Sequence, residues 1–355
     1  MAVVTALQRL EHQLGGNATG RPPTLDAAAK LMARTEHVPL FAHSYPFILN
    51  MDHGGFTPAD LAEFAYRNEL SGLCLHIADG GDSSVSRMSA AKLEAFRRLL
   101  AELGLTLHLE ISSTERQEID LAARLAAQLG VENIRLYARR DGPLSAAMEA
   151  VYADLAYAAD LANARNLHFD YEQHEDLRAA EIASLLHRVG DKRLNVLFDF
   201  ANSWNAHEEP VDALRTLGPW IRQVHLKGAR KTVSDLGWGQ AGVPQGSADD
   251  EVPTARLLYE LLLLGDTRAQ VIAFALENEV GYLAPPFRGP HDPADPFIAR
   301  RQPSQTLPPA AAELPRRLRD ERRWAQQQVT VTRLLLADLR TLATQAVEEA
   351  STLLP

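Results

Sequence analysis

The chain of 355 residues is long enough for one large α/β barrel with an appendage, or for two ordinary domains. Hydrophobic residues make up 46% and charged residues 23%, which is typical of a soluble globular protein with a full core. The formal net charge of -10 argues against a partner bound through neutralised phosphates, so we expect no nucleic acid. The single cysteine excludes an internal disulfide and gives no sign of an oxidising compartment.

The first predicted element is an amphipathic helix that ends near Gly15 and Gly16. Charges interrupt its apolar pattern, so it does not resemble a signal peptide. No segment approaches the roughly 20 apolar residues of a membrane span. We therefore expect a cytoplasmic protein without a membrane partner, which begins with a helical segment over residues 1–37.

Eight short β-like runs follow, and amphipathic stretches separate them. The runs are 40–47, 70–78, 105–112, 133–139, 167–172, 194–200, 221–227 and 271–277. The first seven begin about 27 to 35 residues apart, which is the size of a strand with its crossover helix. The stretches between them predict helices over 58–68, 90–103, 118–129, 146–163, 179–189, 210–217 and 252–264.

Eight such units predict an α/β fold, a (β/α)8 TIM barrel over residues 38–284. The alternative is a doubly wound open sheet, which has the same local pattern. Eight units suit closure, and the first strand lacks a glycine-rich turn, so we favour the barrel. The longer gap after the seventh run contains the polar, glycine-containing stretch 228–250, which we interpret as a lid or substrate loop.

Beyond the barrel, the composition shifts to proline over residues 285–315, which predicts an extended connector. Residues 316–355 carry apolar side chains at helical spacing and form a predicted C-terminal helical extension. The pattern leaves open whether these helices pack on the barrel or on a second subunit. We favour a second subunit, which would give a homo-oligomer.

Four polar residues stand where apolar runs end: Glu172, Asp199, His225 and Glu277. In a barrel of parallel strands, these positions meet at the mouth. Three carboxylates within ~4 Å would repel by roughly 4 kcal/mol per pair at an effective dielectric near 20. A divalent cation removes that repulsion, and Glu, Asp and His are ligands that such a cation takes. The sequence therefore predicts a metal site.

Four short motifs, in this order and on these strands, resemble the xylose isomerase-like superfamily of sugar (phosphate) isomerases and epimerases. They are E-Q-H at 172–174, D-F-A-N at 199–202, V-H-L-K at 224–227 and A-L-E-N at 275–278. The resemblance implies a TIM barrel that binds one divalent metal ion, commonly manganese, cobalt, magnesium or zinc. By matched position, its ligands would be Glu172, Asp199, His225 and Glu277. In the ketose epimerases of that superfamily, the two glutamates also exchange a substrate proton.

The chemistry of the two glutamates agrees with that role. A carbonyl and a neighbouring hydroxyl chelated to a cation acidify the shared C–H bond, because the metal stabilises the enediolate charge. One carboxylate can remove the proton and a second can return it from the other side. We therefore predict a metal-dependent sugar isomerase or epimerase of carbohydrate metabolism, with Glu172 and Glu277 as catalytic groups and a sugar or keto sugar as substrate.

Further polar residues near the predicted strand ends are candidates for substrate binding. They are His43, His76, Glu110, His174, Asn202, Lys227 and Arg230. Lys227 follows His225 by two residues and faces the same side of its strand. His108 and Glu110 likewise share one face, so both point inward or neither does. For each of these residues the competing interpretation is a satisfied barrel side chain or, for Arg230, an exposed loop arginine.

Three other functions are considered on the same scaffold. A lyase that dehydrates a keto-inositol or a related keto sugar begins with the same proton abstraction. A phosphodiesterase resembling the apurinic endonucleases needs additional histidines, but Asn202 stands at one such position. The chain also has no histidine between His225 and Glu277, and so we disfavour that reading. A non-catalytic assembly module is disfavoured because all four ligands are present.

Overall fold

The computed structural model describes Leu10 and residues 23–299 and 310–352. Eight parallel strands form a closed barrel, because the first strand pairs with both the second and the eighth. The strands are Leu40–His43, Gly72–His76, Thr106–Glu110, Asn133–Leu136, His168–Glu172, Leu194–Asp199, Ile221–Leu226 and Ala273–Leu276. Closure confirms the predicted TIM barrel and excludes the open sheet.

The seven predicted helices are all present around the barrel. They are Pro58–Arg67, Ala90–Leu103, Arg116–Leu129, Leu144–Arg165, Ala179–Val189, Pro210–Leu217 and Thr254–Leu263. The first of them begins with a capping box, in which Thr57 Oγ1 accepts from the Asp60 N–H while the Asp60 carboxylate accepts from the Thr57 N–H. A glycine in the left-handed region ends the second, with Gly104 at φ 67°.

Two elements differ from the sequence expectations. Residues 229–242, predicted as part of a lid or substrate loop, form an antiparallel hairpin of Ala229–Ser234 and Gly237–Gly242. The strand Leu283–Ala284 extends this hairpin into a three-stranded sheet beside the barrel mouth. Of the helical segment predicted over residues 1–37, residues 23–37 are described and form a helix only over Leu25–Arg34; the helix predicted before Gly16 lies outside the described residues except for Leu10.

The carboxy-terminal extension is one helix, Leu314–Thr352, of 39 residues. Its apolar face packs on this chain's own barrel, against the helices Leu25–Arg34 and Thr254–Leu263. The buried apolar side chains of this helix are Ala325, Val329, Leu336, Leu339, Ala343 and Ala346. Association with a second copy through this helix stays a prediction, as do the predicted domain boundaries. Within the described part of the chain, no helix combines the length and apolarity that a membrane crossing requires.

The barrel interior is built in layers that set the position of the polar side chains. A small apolar cluster of Phe41, Cys74, Ala273 and Ala275 fills part of the lower layer. Above it, strand pairing brings Glu110 opposite Arg135 and Asp199 opposite His225. Because successive side chains on a strand alternate in direction, these residues all face inward at the mouth.

Candidate metal centre

The four residues predicted as metal ligands converge on one point at the mouth. The Nδ1 atom of His225 lies 3.6 Å from Glu172 Oε1, 4.0 Å from Asp199 Oδ2 and 3.8 Å from Glu277 Oε2. All four side chains are buried. They come from the ends of the last four barrel strands, and parallel strands present their carboxyl ends at the same rim.

A network behind His225 fixes the orientation of its ring. His225 Nε2 lies 3.0 Å from Glu110 Oε1, so the Nε2–H donates to Glu110. The Nδ1 atom has no hydrogen-bond partner although it is buried. Glu110 also accepts from His43 Nε2 at 3.1 Å and from Arg135 Nη2 at 2.8 Å. Such outer carboxylates orient a histidine ligand and raise its basicity, leaving the Nδ1 lone pair directed at the carboxylates.

Two buried cations partly neutralise the carboxylates. Arg135 bridges Glu110 and Glu172, with its Nε 3.1 Å from Glu172 Oε2. Lys227 Nζ lies 2.7 Å from Asp199 Oδ2 and 2.8 Å from Glu277 Oε2. Four carboxylates against two cations leave two negative charges when His225 is neutral, as a ligand must be. One divalent cation balances that excess, so the residues fit the predicted group.

Among the described residues, two triads of side chains have the spacing to hold a metal ion, and they differ in chemistry. Glu172, Asp199 and His225 offer ligand atoms within 4.8 Å of one another, including the unpartnered Nδ1. His43, Glu110 and His225 also meet that spacing, but their facing atoms already hydrogen-bond to each other. The first triad is therefore the candidate centre, with Glu277 beside it.

The shifted pKa values of the site residues also indicate a negative electrostatic potential at the centre. Burial opposes charge on the His225 ring, but the Glu110 and Glu277 carboxylates outweigh it and raise its pKa to about 10. Burial also disfavours ionised Glu172, yet the Arg135 guanidinium holds the pKa of that carboxyl below its usual value. For Glu277 burial prevails over Lys227 and raises the pKa. A field that favours a proton on His225 also attracts a metal cation.

A cavity of about 570 Å³ opens above the centre. The predicted residues in its wall are His76, Glu172, His174, Asn202, Lys227 and Glu277. His43 and Glu110 are outside that wall, because they hydrogen-bond to each other behind the ligands. Arg230 is exposed on the hairpin strand Ala229–Ser234 and does not reach the cavity. The structure thus separates the seven substrate-binding candidates into two groups.

Asn202 is part of a relay of amides that ends at the centre. Its Nδ2 lies 3.3 Å from Glu172 Oε1, and its Oδ1 accepts from Gln240 Nε2 at 2.8 Å. Gln240 belongs to the hairpin strand Gly237–Gly242. The hairpin therefore contributes to the site by orienting Asn202. Trp204 and Trp238 do not line the cavity.

Two charged residues of the site were missed by the sequence reasoning. Arg135 lies inside the buried strand Asn133–Leu136, where a charged side chain in an apolar run is itself a signal. Asp79 lines the cavity beside His76, with 3.7 Å between its Oδ1 and the histidine Nδ1. Asp79 lies in a turn after the second strand, where acidic residues are ordinary, so no sequence signal singles it out.

The fold and the centre agree with what this chain resembles. The xylose isomerase-like TIM barrel family matches residues 70–261, and the chain belongs to that family. It is 37% identical over 317 residues to the uncharacterised protein YihM of Escherichia coli strain K12, across 89% of this chain and 97% of YihM.

Solved structures of enzymes share the barrel at low sequence identity. The probable 3-DHS dehydratase AsbF of Bacillus anthracis, involved in petrobactin synthesis, superposes with a TM-score of 0.53 at 18% identity, over 68% of this chain and 92% of AsbF. A D-allulose 3-epimerase from Methylomonas sp. superposes with a TM-score of 0.51 at 15% identity, over 68% of this chain and 84% of the epimerase. These similarities show the fold.

Proposed function

We propose that this protein is a divalent-metal-dependent sugar isomerase or epimerase that moves a proton beside a carbonyl. The observation that carries the proposal is the approach of Glu172 and Glu277 to one histidine nitrogen, at 3.6 and 3.8 Å. Each glutamate also forms part of the cavity wall. Two carboxylates beside one cation-attracting point are the groups that proton removal and return require.

The ligands of the bound ion would be Glu172, Asp199, His225 and Glu277. When bound, a divalent cation polarises the substrate carbonyl and thereby lowers the cost of removing the neighbouring proton. Manganese, cobalt, magnesium and zinc all remain candidates, because carboxylate and imidazole ligands suit each of them.

The protein's own residues divide the remaining work. Glu172 or Glu277 takes the proton from the substrate carbon, and the other glutamate returns one to the opposite face. Arg135 and Lys227 offset the cost of burying the charged carboxylates. They form ion pairs with them at 2.8 to 3.1 Å and 2.7 to 2.8 Å, respectively. His76, His174 and Lys227 are candidates to bind sugar hydroxyls from the cavity wall.

A dehydratase acting on a keto-inositol or a related keto sugar is the second candidate, because the cavity holds an acid–base pair that isomerisation does not need. The Ala78 N–H donates to His76 Nδ1 at 3.3 Å, which leaves the ring proton on Nε2. Asp79 stands beside this ring. Burial raises the pKa of Asp79 to about 7, so its carboxyl can exchange a proton near neutrality. The Asp79 carboxyl could therefore protonate a departing hydroxyl, whereas burial lowers the pKa of His76 to about 4 and keeps that ring neutral.

The deciding experiment incubates Mn²⁺-loaded protein in D₂O with a panel of ketoses, aldoses, their phosphates and cyclic keto sugars. Deuterium uptake with the carbon skeleton retained supports the isomerase, whereas loss of water identifies the dehydratase. If none of these compounds undergoes exchange or elimination, both functions are refuted. Release of free 3′ ends from abasic DNA would instead revive the nuclease alternative.

A substitution tests the role of Glu277 directly. Glu277→Gln should lower turnover by at least about 100-fold while retaining part of the Mn²⁺ binding, because the amide still offers an oxygen but takes no proton. The matched control is Glu208→Gln, which alters a carboxylate that accepts from the Ala179 N–H at 2.7 Å, away from the cavity. Unchanged turnover in Glu277→Gln would contradict the assigned role.

A further inference from the structure

The carboxy-terminal helix Leu314–Thr352 lies beyond the residues matched by the family, yet it contacts segments that carry the candidate metal centre and part of its cavity wall. Three of its contacting side chains are Arg317, Glu321 and Gln328. Their spacing of four and then seven residues places them on one helix face. All three hydrogen-bond to the main chain of the barrel, so they hold the backbone itself in position.

Gln328 makes the contact nearest to the centre. Its side chain is 1% exposed, and its Nε2 donates to the Leu226 carbonyl at 2.9 Å. Leu226 stands between His225 and Lys227. The same carbonyl accepts the N–H of Glu277 at 2.8 Å. One backbone oxygen thus connects the helix to two predicted ligands and to the lysine that pairs with two of the carboxylates.

Gln328 also holds the loop that follows the hairpin. Its Nε2 lies 2.8 Å from Gln245 Oε1, and the Gln245 N–H donates to Asn278 Oδ1 at 2.9 Å. Asn278 directly follows Glu277, and its Oδ1 also accepts the Gly228 N–H at 2.9 Å. The hydrogen bonds therefore form a closed ring that joins the ends of the last two barrel strands through the helix.

Glu321 holds the part of the cavity wall that follows the first strand, which pairs with the eighth. Its buried carboxylate accepts from the N–H groups of Leu49 and Asn50 at 3.0 and 2.9 Å, and from Asn50 Nδ2 at 2.8 Å. These groups begin the short helix Ile48–His53, whose residues Leu49, Asp52 and His53 line the cavity. The same helix therefore fixes both the ligand-bearing strands and the neighbouring part of the cavity wall.

We propose that Gln328 is a positioning residue for the metal centre and that the carboxy-terminal helix is part of the functional unit. The inference rests on the proposed function, because it concerns how the predicted ligands are held. Residues that orient metal ligands from behind typically contribute 10- to 100-fold in metal affinity. Gln328 acts through a backbone carbonyl, so its effect belongs at the lower end of that range.

The test compares Gln328→Met with Gln326→Met in the full-length protein. Methionine keeps the length and helix propensity of glutamine but donates no hydrogen bond. Gln326 lies on the same helix and donates to Asn68 Oδ1 at 2.7 Å on the surface, which makes it a matched control. The Mn²⁺ dissociation constant is measured by electron paramagnetic resonance, and circular dichroism checks the fold of each variant.

We expect Gln328→Met to weaken Mn²⁺ binding about tenfold, and Gln326→Met to stay within about twofold of the wild type. Amide hydrogen exchange over 225–228 and 276–278, measured without metal, should accelerate only in Gln328→Met. Gln328→Asn, which keeps the amide but shortens its reach, is the second variant if the first does not fold. Its expected weakening is the same.

Wild-type Mn²⁺ affinity and wild-type exchange in the Gln328 variants would overturn the inference. A wild-type protein that binds none of Mn²⁺, Co²⁺, Mg²⁺ and Zn²⁺ would instead refute the proposed metal dependence. The exchange measurements would then still decide whether Gln328 fixes the strand ends, because they require no ion. The two failures are therefore distinguishable.

Discussion

Replacing Glu110 by Gln is the sharpest test of the network behind His225. Glu110 is 1% exposed and receives three donors: His43 Nε2 at 3.1 Å, His225 Nε2 at 3.0 Å and Arg135 Nη2 at 2.8 Å. An amide of the same shape has one oxygen and one NH₂ group, so its NH₂ must face at least one of these donors. The negative charge that balances Arg135 is also lost.

The size of the effect follows from these contacts. A buried donor left without an acceptor costs about 1–3 kcal/mol of folding stability. Loss of the carboxylate behind His225 should also weaken metal binding 10- to 100-fold. That change corresponds to about 1.4–2.8 kcal/mol of binding free energy. Both effects share a cause, but they are measured separately.

The assay combines two titrations on wild type, Glu110→Gln and the control Glu208→Gln. Urea unfolding gives the free energy of unfolding, and electron paramagnetic resonance gives the Mn²⁺ dissociation constant. We expect both values to change in Glu110→Gln and neither to change by more than a small amount in the control. A folded Glu110→Gln protein with wild-type Mn²⁺ affinity would refute the view that Glu110 orients His225.

Two further predictions concern stability. Asp79 has a pKa raised to about 7 by burial, above its unfolded value near 3.9, so the stability linked to its proton is complete below about pH 4 and lost as the pH rises through 7. The free energy of unfolding of Asp79→Asn, relative to that of the wild type, should therefore be higher at pH 8 than at pH 5 in urea titrations. The same difference between the two proteins at pH 5 and at pH 8 would contradict this. Thr57→Ala removes a cap that accepts from the Asp60 N–H and should cost about 1 kcal/mol in the same assay; Thr57→Ser should retain most of it.

The barrel fold could be predicted from the sequence because the periodic patterns that indicate strands and helices are local. Each strand is a short apolar run and each crossover helix an amphipathic stretch, so residues near in sequence decide both. The polar residues at the strand ends could be identified from the sequence for the same reason, because each interrupts a local apolar pattern. They are Glu172, Asp199, His225 and Glu277. The hairpin over 229–242 was not predicted because its first strand, Ala229–Ser234, has little apolar alternation and its second, Gly237–Gly242, is rich in glycine.

What only the tertiary structure decided is which groups share a proton or a charge. Glu110 was a substrate candidate by its position, yet its partners His43, Arg135 and His225 come from three other strands and turn it into a support for the histidine ring. Gln328 lies over 100 residues after Leu226, and no local pattern connects them. Alternation along one strand gives the side on which a residue lies, whereas hydrogen-bond partners depend on how distant segments meet in the closed barrel.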